Sequence, residues 1–561
     1  MNAATFTGWI RERLSFERLF LLILLVTVIL RFYSLDLKLF HHDEAIHAWF
    51  SYRLLTEGIY SYDPMYHGPF LYYTTAGIFS LLGDSDLVGR ILPALFGTLL
   101  VPLLYPIYRL GYLDRKQTLV AALFLAVSPC MVYFSRFLRN DIYIAFFSLA
   151  LLVALLYYFE RGEVRYALLA GAAAGLGMST KENMPIVLLI FGAFFLYLIW
   201  TQKVWLPAHW IRDAAIGGLV VIGIMAVFYS SFGAHPEVLL DGWLKAIEHW
   251  TSMHQMQRLG GPPYFYILLF ILYEIPILAL AAVGVMQFFD VPGAIERLRE
   301  RRRGEGPAEE GTPWTAAEES PVDTETPTEG APPIEEIPEV RGLWDRLRRR
   351  REGAGPVDRQ KEFARFAIFW MLLSLAAYAY IGEKVPWLIL HQLLPMIFVA
   401  TYAMTTRKAA IAVLASIFLI VMTFHVAFTP ADINEPIVQV QNSEDLRDVF
   451  AGIDAADRVA VASKSYWPLP WYYRGEAASK LIYYSNKVDE STIYSGDFDL
   501  VITEGSDTYP ALEGYVKETH RLNYWFSYTE NKDRLLEYYF FRNGNVGSRS
   551  LEVFSRGPAA G

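Results

Sequence analysis

Two histidines and two acidic residues, His41-His42-Asp43-Glu44, follow directly after an apolar run near the start of the chain. A carboxylate flanked by imidazoles is typical of a general base or of a metal site. The two histidines are adjacent, so they cannot share one helical face as helical metal ligands do. We therefore favour Asp43 as a catalytic base, and a divalent metal ion held by His42 and Asp43 is the alternative.

The residues after this cluster form a helical pattern. Apolar side chains recur at helical spacing from Ile46 to Leu54, and Gly58 ends the pattern. This predicts an amphipathic helix that lies along the membrane surface. Asp43 stands near the start of this helix, and one interpretation is that it is simply the helix N-cap. The histidines around it, including His47, favour a chemical role instead.

The sequence Tyr66-His67-Gly68-Pro69 comes later in the same polar stretch, just before an aromatic run. Gly-Pro is typical of a turn, and tyrosines are common at membrane interfaces. The alternative is a substrate-binding role, in which His67, with Tyr66 beside it, contacts a phosphate or a sugar. The residue types leave both interpretations open.

Charged residues also stand at the ends of later apolar runs. Arg139 and Asp141 belong to the sequence SRFLRND, and Lys181 and Glu182 belong to STKEN. A charge that faces hydrocarbon costs about 2.5–3.5 kcal/mol on insertion scales, so repeated charges at helix ends usually line a polar cavity. We predict that they contribute to the site, although snorkelling to the interface is the alternative.

Lys384 lies in the sequence GEKVPWL, where Pro386 and Trp387 would hold it near the membrane interface. A cation in this position can bind the phosphate of a lipid headgroup. A lysine that only snorkels towards water is the alternative.

Membrane-spanning helices are the elements that would position these residues. Of the 561 residues, 54% are hydrophobic and 15% aromatic, which predicts a polytopic α-helical membrane protein. The lone Cys130 excludes a disulfide framework. A span needs about 20 apolar residues, which gives about eleven spans. They are residues 16–34, 87–108, 118–135, 142–159, 165–180, 184–200, 214–231, 264–288, 364–381, 388–403 and 408–428.

Basic residues predict the orientation of these spans. Lys and Arg concentrate before the first span and in every second loop after it, which places those segments in the cytoplasm. The N-terminus is then cytoplasmic, and the first outer loop (35–86) and everything after residue 429 are extracytoplasmic. We expect a multi-pass plasma-membrane protein whose polar clusters share the outer face.

The remaining sequence divides into two further parts. Residues 304–340 are rich in Pro, Glu, Thr and Gly and contain no Lys or Arg, which predicts a disordered cytoplasmic linker. After residue 429, β-rich runs (458–463, 480–485, 499–503) alternate with stretches that we expect to be helical connections, including an amphipathic pattern around 507–516. They predict a small extracytoplasmic α/β domain with a partly parallel sheet. The expected domains are 1–289 (first transmembrane module), 290–363 (linker), 364–428 (further spans) and 429–561 (α/β domain).

The motifs together resemble one family. An Asp-Glu pair after the first span, an interfacial helix, a Pro-containing motif before the second span and an Arg/Asp motif after the third resemble the C-type (GT-C) glycosyltransferases. The likeness is greatest to the protein mannosyltransferase and aminoarabinose transferase branch. GEKVPWL and the later WPLPWYYR are similar to a subgroup described as flippase-associated. The resemblance covers roughly residues 16–428 and, more weakly, the rest.

The resemblance implies a function and roles for individual residues. Members of this branch transfer a sugar from a polyprenyl phosphate carrier to a protein or lipid acceptor outside the cytoplasm. Asp43 matches the family's acidic residue, Glu44 its partner and Asp141 the later acidic position, which implies catalytic roles for all three. Aminoarabinose transferases have Glu-Lys-Pro-Pro where this chain has Tyr66-His67-Gly68-Pro69.

The resemblance also implies substrate-binding residues, and two functions other than sugar transfer are considered. The carrier phosphate or the sugar would be contacted by His67, Tyr66, Arg139, Lys181 and Lys384. The other expected partner is the lipid bilayer, and no nucleic-acid partner is expected. A non-catalytic protein that binds or helps to translocate a glycolipid is the main alternative function. A secondary transporter is disfavoured, because the polar residues lie at span ends and no repeated halves are visible.

Overall fold

The computed structural model describes residues 16–58, 60–201, 203–204, 206–256, 261–296 and 357–557. The predicted linker of residues 304–340 lies outside the described residues. Each segment predicted as a span contains helix. The helices of this part are Phe16–Phe32, His42–Glu57, Phe70–Leu82, Asp86–Leu99, Leu104–Arg109, Arg115–Val127, Pro129–Ser135, Asp141–Arg161, Val164–Met178, Met184–Trp200, Trp210–Tyr229, Val238–Met256, Phe265–Tyr273, Ile275–Phe288, Arg359–Tyr380, Leu390–Ala400 and Thr406–Phe428.

Helix length and composition identify the membrane part. Among the described residues, five helices are long and apolar enough to cross a bilayer, namely Asp86–Arg109, Asp141–Arg161, Trp210–Tyr229, Arg359–Tyr380 and Thr406–Phe428. Two bent helix pairs pass the same test together, and shorter apolar helices accompany them. The chain is a multi-pass membrane protein, and the number of about eleven spans stays a prediction.

The two bent pairs are linked to each other. One bends by 56° between Val127 and Pro129, and the other bends by 110° at Glu274. Glu274 is fully buried and its carboxylate accepts hydrogen bonds from the Ser128 hydroxyl at 2.6 Å and the Cys130 amide at 2.9 Å. Proline lacks a backbone N–H and interrupts the helical hydrogen bonds at such breaks. At the first break, the Glu274 carboxylate accepts the hydrogen bond of the Cys130 amide, which has no helical partner there.

Two segments predicted as outer loops contain helices. Phe70–Leu82 lies within the loop 35–86, and Val238–Met256 lies within the loop 232–263. Phe70–Leu82 has 13 residues, fewer than the roughly 20 that a span requires, so a search for spans passes over it.

The C-terminal part is a mixed α/β domain, as the sequence predicts. Its strands are β1 (Gln441–Asn442), β2 (Val459–Ala462), β3 (Leu481–Tyr483), β4 (Leu500–Glu504), β5 (Tyr515–Phe526) and β6 (Val546–Arg556). The sheet has the order β1-β5-β6-β4-β2-β3, in which β3, β2 and β4 are parallel and β5 and β6 form a long antiparallel pair.

The helical connection expected around residues 507–516 is wrong, because that stretch forms turns that lead into β5. The short helices of the domain are Leu446–Ala455, Leu469–Tyr472, Glu490–Gly496, Tyr528–Asn531 and Leu535–Phe541. The first half of β5 is mostly exposed and the register is irregular near Arg521, so the side chains of this strand do not alternate between buried and exposed.

The α/β domain is fastened to the membrane part by buried polar contacts. Trp471 is 1% exposed, and its indole N–H donates to Asp86 at 2.7 Å, while the Tyr472 hydroxyl donates to the same carboxylate at 2.6 Å. Asp86 stands in the first turn of its helix, where a negative charge is favourable. The Asn442 amide donates to the carbonyl of Phe40 at 2.6 Å, directly before the acidic cluster.

Candidate active site

The interfacial helix predicted from the sequence begins at His42 and ends at Glu57. His41 is its N-cap, because its imidazole Nδ1 accepts a hydrogen bond from the Asp43 amide at 3.0 Å. The Glu44 carboxylate accepts a bond from the His41 amide at 2.9 Å and completes a capping box. The N-cap position considered for Asp43 therefore belongs to His41, and the Asp43 side chain is left for other contacts.

The Glu44 carboxylate is turned towards the protein interior. It is 1% exposed and accepts bonds from Arg90 at 2.6 and 2.8 Å and from the Leu138 amide at 2.7 Å. These contacts join the interfacial helix to the helix of Arg90 and to the loop that carries Arg139. The catalytic role predicted for Glu44 stays a prediction, and its contacts are those of a supporting residue.

Asp43 is partly exposed and forms an ion pair with Arg139. The guanidinium of Arg139 also stacks on the Trp387 ring, 3.8 Å from its centre, which adds a cation–π attraction. Burial acts to raise the pKa of the Asp43 carboxyl, but Arg139 and the neighbouring histidines outweigh it and hold that pKa below its ordinary range. Asp43 is therefore ionised at neutral pH.

Asp141 lies at the centre of a second, fully buried group. Its carboxylate accepts bonds from the Lys181 ammonium at 2.9 Å and lies 3.0 Å from Nε2 of His391. Nε of Arg139 is 3.8 Å away. Arg139 thus bridges Asp43 and Asp141, so the structure brings together three of the residues predicted for the site and places Lys181 beside them.

The Tyr66-His67-Gly68-Pro69 motif packs against the segment that precedes Lys181. The Gly68 amide donates to the Thr180 carbonyl at 3.2 Å, and a Cβ at Gly68 would lie 2.3 Å from the Ser179 carbonyl oxygen. Only glycine permits this approach. His67 adopts φ +68°, which turns its imidazole towards Glu182, 2.9 Å away.

Two properties of this motif bear on its function. Burial lowers the pKa of the His67 imidazole, although Glu182 acts in the opposite direction, so His67 is a neutral donor or acceptor at physiological pH. The Tyr66 carbonyl accepts a bond from the Tyr72 hydroxyl at 2.8 Å, and its ring packs on Phe50. The motif is therefore both a turn and part of the cavity wall.

The Lys384 side chain points away from this cluster. Its ammonium donates to the carbonyls of Tyr378 at 3.0 Å and Ala379 at 2.9 Å, and also to that of Ile381. These carbonyls lie at the C-terminus of the helix Arg359–Tyr380, where the backbone has no helical partners and a cation is favourable. The phosphate contact predicted for Lys384 stays a prediction, and the structure does not bring this lysine into the site.

Two adjoining cavities share a wall at Arg139, the partner of Asp43. The first, the apolar cavity, has a volume of about 350 Å³, and the second, the polar cavity, about 530 Å³. Both are lined by His67, Arg139, Glu383 and Trp387. Asp43 lines only the polar cavity, and Lys181 lines only the apolar one. A molecule that occupied both cavities would therefore pass Arg139.

Four residues near the site were not predicted for it. His391 lies in an apolar span, and a lone ionisable residue at such a position could have served as a signal. Trp387 and Glu383 belong to the GEKVPWL sequence, which drew attention for its lysine instead. Trp525 reaches the polar cavity from β5, and nothing in the local sequence indicates that.

The residues around Asp43 do not fit a divalent metal ion. Within the part of the chain that the structure describes, no three His, Cys, Asp or Glu side chains are grouped closely enough to hold one. The Asp43 carboxylate is already paired with a cation, Arg139. The arrangement gives no support to a metal ion held by His42 and Asp43, which stays a prediction.

The capping role of His41 predicts a pH-dependent stability. Burial lowers the pKa of the His41 imidazole to about 4, against about 6.5 in the unfolded chain. Between these values the unfolded state binds more protons, so stability falls as the pH falls from 6.5 to 4, by about 3 kcal/mol in full. Rates of thermal inactivation in detergent at pH 7 and pH 4.5 follow this loss.

His41→Asn is the matched control for that prediction, because asparagine is a good N-cap that does not titrate. The variant is expected to lose less stability than the wild type over the same pH interval. Equal losses in both proteins would contradict the assignment to His41.

Comparison with known proteins gives one match to a family model. Residues 66–228 match the model of the dolichyl-phosphate-mannose-protein mannosyltransferases. The matched range contains His67, Arg139, Asp141 and Lys181 and begins after Asp43. No curated protein matches the chain.

Solved structures show the fold. ArnT from Cupriavidus metallidurans in the apo state aligns with a TM-score of 0.52 and 12% identity over 98% of each chain. The same enzyme bound to undecaprenyl phosphate aligns with a TM-score of 0.53 and 13% identity over 89% of this chain and 94% of that one. The S. cerevisiae protein O-mannosyltransferase Pmt1-Pmt2 complex bound to the sugar donor aligns with a TM-score of 0.34 and 20% identity, over 42% of this chain and 34% of that one.

This chain therefore spans about a third of the length of that yeast relative, and it matches ArnT over nearly the whole length of both chains. The expected resemblance is confirmed, and the chain has the GT-C fold.

Proposed function

We propose that this chain, which has the fold of the C-type glycosyltransferases, transfers a sugar from a polyprenyl phosphate to an acceptor on the extracytoplasmic face. The observation that carries the proposal is the Asp43–Arg139 pair at the meeting point of an apolar and a polar cavity. A lipid-linked donor and a polar acceptor need such a junction. The undecaprenyl phosphate bound to ArnT, which shares the fold, supports the choice of donor.

The apolar cavity suits the carrier lipid. Its wall includes Met178, Ile186, Ile247 and Leu388, which lie on different helical segments. Lys181, together with Arg139 and His67 at the junction, offers N–H donors to a phosphate. Charge-assisted bonds from such donors to phosphate oxygens are strong, and they stabilise the charge that develops as the carrier leaves.

Arg139 links donor binding to the basicity of Asp43. In the structure the guanidinium neutralises Asp43, which makes that carboxylate a weak base. A phosphate competes for the same guanidinium, so its arrival weakens the Asp43–Arg139 pair and raises the proton affinity of Asp43. Asp43 is therefore a stronger base when a donor is bound than it is in the empty site.

The chemical step needs only these groups. The acceptor hydroxyl oxygen attacks C1 of the sugar as the bond from C1 to the phosphate oxygen breaks. The electron pair of that bond stays on the carrier phosphate, and Asp43 takes the acceptor proton. Attack from the side opposite the phosphate inverts the configuration at C1. Asp141 does not react, and its contacts with Lys181 and Arg139 orient the two cations.

The polar cavity suits the acceptor, and the α/β domain contributes to its wall. Trp525 on β5 and Arg549 on β6 lie on the same face of the sheet, because Trp525 pairs with Gly547 and Arg549 pairs with Asn523. A Cβ at Gly547 would lie 2.4 Å from Nε1 of Trp525, so the missing side chain makes room for the indole ring.

Trp525→Ala is expected to raise KM for the acceptor by about 10-fold, because contact with the aromatic face contributes a binding free energy on the order of 1 kcal/mol or more. The KM for the donor should be unchanged, since Trp525 does not line the apolar cavity. Initial rates with each substrate varied in turn measure both constants. Phe541→Ala, at an exposed aromatic in the same domain, is the control; an equal rise of both KM values would contradict the assignment.

A transfer assay tests the proposed function directly. Purified protein is reconstituted in vesicles with polyprenyl phosphate that carries a radiolabelled sugar, and label is followed into a water-soluble or lipid acceptor. Label should reach acceptors only on the side that holds the α/β domain. Tight binding of the carrier without any transfer would instead support a non-catalytic glycolipid-binding protein.

A further inference from the structure

One carboxylate at the junction of the two cavities is left without a role by the reaction described above. Glu383 is half-buried, follows the helix Arg359–Tyr380 and lines both cavities. Within the described part of the chain it makes no hydrogen bond or ion pair. The next residue, Lys384, does not neutralise it, because that ammonium is held by backbone carbonyls.

The other carboxylates that line these cavities are paired. Asp43 is matched by Arg139, and Glu182 lies 2.9 Å from His67. A carboxylate that lines a cavity without a protein partner is hydrated, and the hydroxyl donors of a ligand can replace that water without breaking an existing pair. The pairing of its neighbours therefore makes Glu383 the carboxylate in these walls that is open to a ligand.

The position of Glu383 limits the chemistry of that ligand. The carrier phosphate is an anion and would be repelled by a carboxylate, and the isoprenoid chain offers no donors. The sugar of the donor lies between the phosphate and the attacking acceptor, which is where the two cavities meet, and it carries several hydroxyl donors. An acceptor that stayed in the polar cavity would not need a residue that also faces the apolar one.

We propose that Glu383 accepts hydrogen bonds from hydroxyl groups of the donor's sugar ring and so selects which sugar is transferred. This inference rests on the proposed function and adds the group that recognises the sugar. Hydrogen bonds from hydroxyls to a carboxylate are short and strong, and two oxygens can receive two neighbouring hydroxyls at once. Trp387, in the same wall, would border the ring on another side.

The test compares the carrier with and without its sugar. Glu383→Gln keeps the shape and removes the charge, and it is expected to weaken binding of polyprenyl-phosphate mannose by about 10- to 100-fold. Binding of polyprenyl phosphate alone should not weaken, because this carrier has no sugar hydroxyls to lose and the removed charge would only repel its phosphate. Both ligands are measured by competition against a fluorescent polyprenyl phosphate. Glu237→Gln, at an exposed carboxylate elsewhere, is the control.

Three results decide the inference. Equal weakening for both carriers, or no weakening for either, would overturn it. Donors that lack one sugar hydroxyl each give an independent measurement. The wild type should bind a donor less tightly when the missing hydroxyl is one that donates to Glu383. This loss of affinity should be absent in Glu383→Gln. Persistence of the loss in that variant would also overturn the assignment.

These binding measurements do not require turnover. If the wild type binds sugar-loaded carrier but transfers nothing in the vesicle assay, the proposed reaction fails while the role of Glu383 is still decided by the affinities. If transfer occurs and Glu383→Gln binds both carriers normally, only the role of Glu383 fails.

Discussion

Asp43→Asn is expected to lower kcat for sugar transfer by about 10²- to 10⁴-fold, the range that a positioned general base usually contributes. Asparagine has nearly the same shape and keeps a carbonyl oxygen towards Arg139, but it cannot take the acceptor proton. The affinity for polyprenyl phosphate should stay the same or rise, because the phosphate no longer competes with a carboxylate for Arg139. This opposite movement of rate and affinity distinguishes a base from a residue that only holds the fold.

The measurement is a single-turnover transfer assay with saturating donor, together with carrier binding in the absence of acceptor. Glu57→Gln is a suitable control, because it lies in the same helix and forms only an exposed pair with Arg53, worth a few tenths of a kcal/mol. Undiminished transfer by Asp43→Asn would refute Asp43 as the base. It would leave the non-catalytic alternative or another base to be considered.

Asp141→Asn is expected to destabilise the protein by about 3–5 kcal/mol, because it leaves the buried ammonium of Lys181 without its anion. Transfer should also fall, since Arg139 loses the carboxylate on one of its two sides. Membrane proteins often unfold irreversibly, so the rate of thermal inactivation in detergent is the practical measurement. Asp63→Asn is the control, because Asp63 caps an exposed turn and asparagine caps equally well.

A double variant separates the charge from the space it occupies. Replacing both partners, as in Asp141→Asn with Lys181→Met, should recover part of the stability that the single variant loses, because no unpaired charge remains. It should not recover transfer, since Lys181 is also needed for the phosphate. A double variant less stable than Asp141→Asn alone would show that the pair contributes through packing and not through charge.

The membrane part of the fold was predictable because its signal is local. Each span is a run of apolar residues long enough to be recognised alone, and the β-rich runs after residue 429 identified the parallel strands in the same way. Phe70–Leu82 was missed because an apolar helix of only 13 residues has no such length signal. The strand β5 was missed because half of its side chains face solvent and its register is irregular.

The site was predictable to the extent that charge at the end of a span indicates a polar cavity. That reasoning placed Arg139, Asp141 and Lys181 together, and the structure brings them into one cluster. It failed to predict which partner a long side chain contacts. Lys384 donates to carbonyls at the end of the preceding helix, and Glu44 pairs with Arg90. Such choices depend on backbone groups left open by the fold, which neighbouring residue types do not reveal.

The contacts that fasten the α/β domain to the membrane part set the order in which this protein can be completed. Trp471 and Asp86 are separated by 385 residues along the chain, and Asn442 and Phe40 by 402. At the usual rates of synthesis, about 5–20 residues per second, roughly 20–80 s pass between the making of Asp86 and of Trp471. During this interval the first outer loop has already been made but lacks the partners of Phe40 and His41, the two residues that precede His42 and Asp43. On the proposed orientation and function, the candidate site is therefore completed last, after export of the final domain, and the proposed transfer would begin only once the chain is whole.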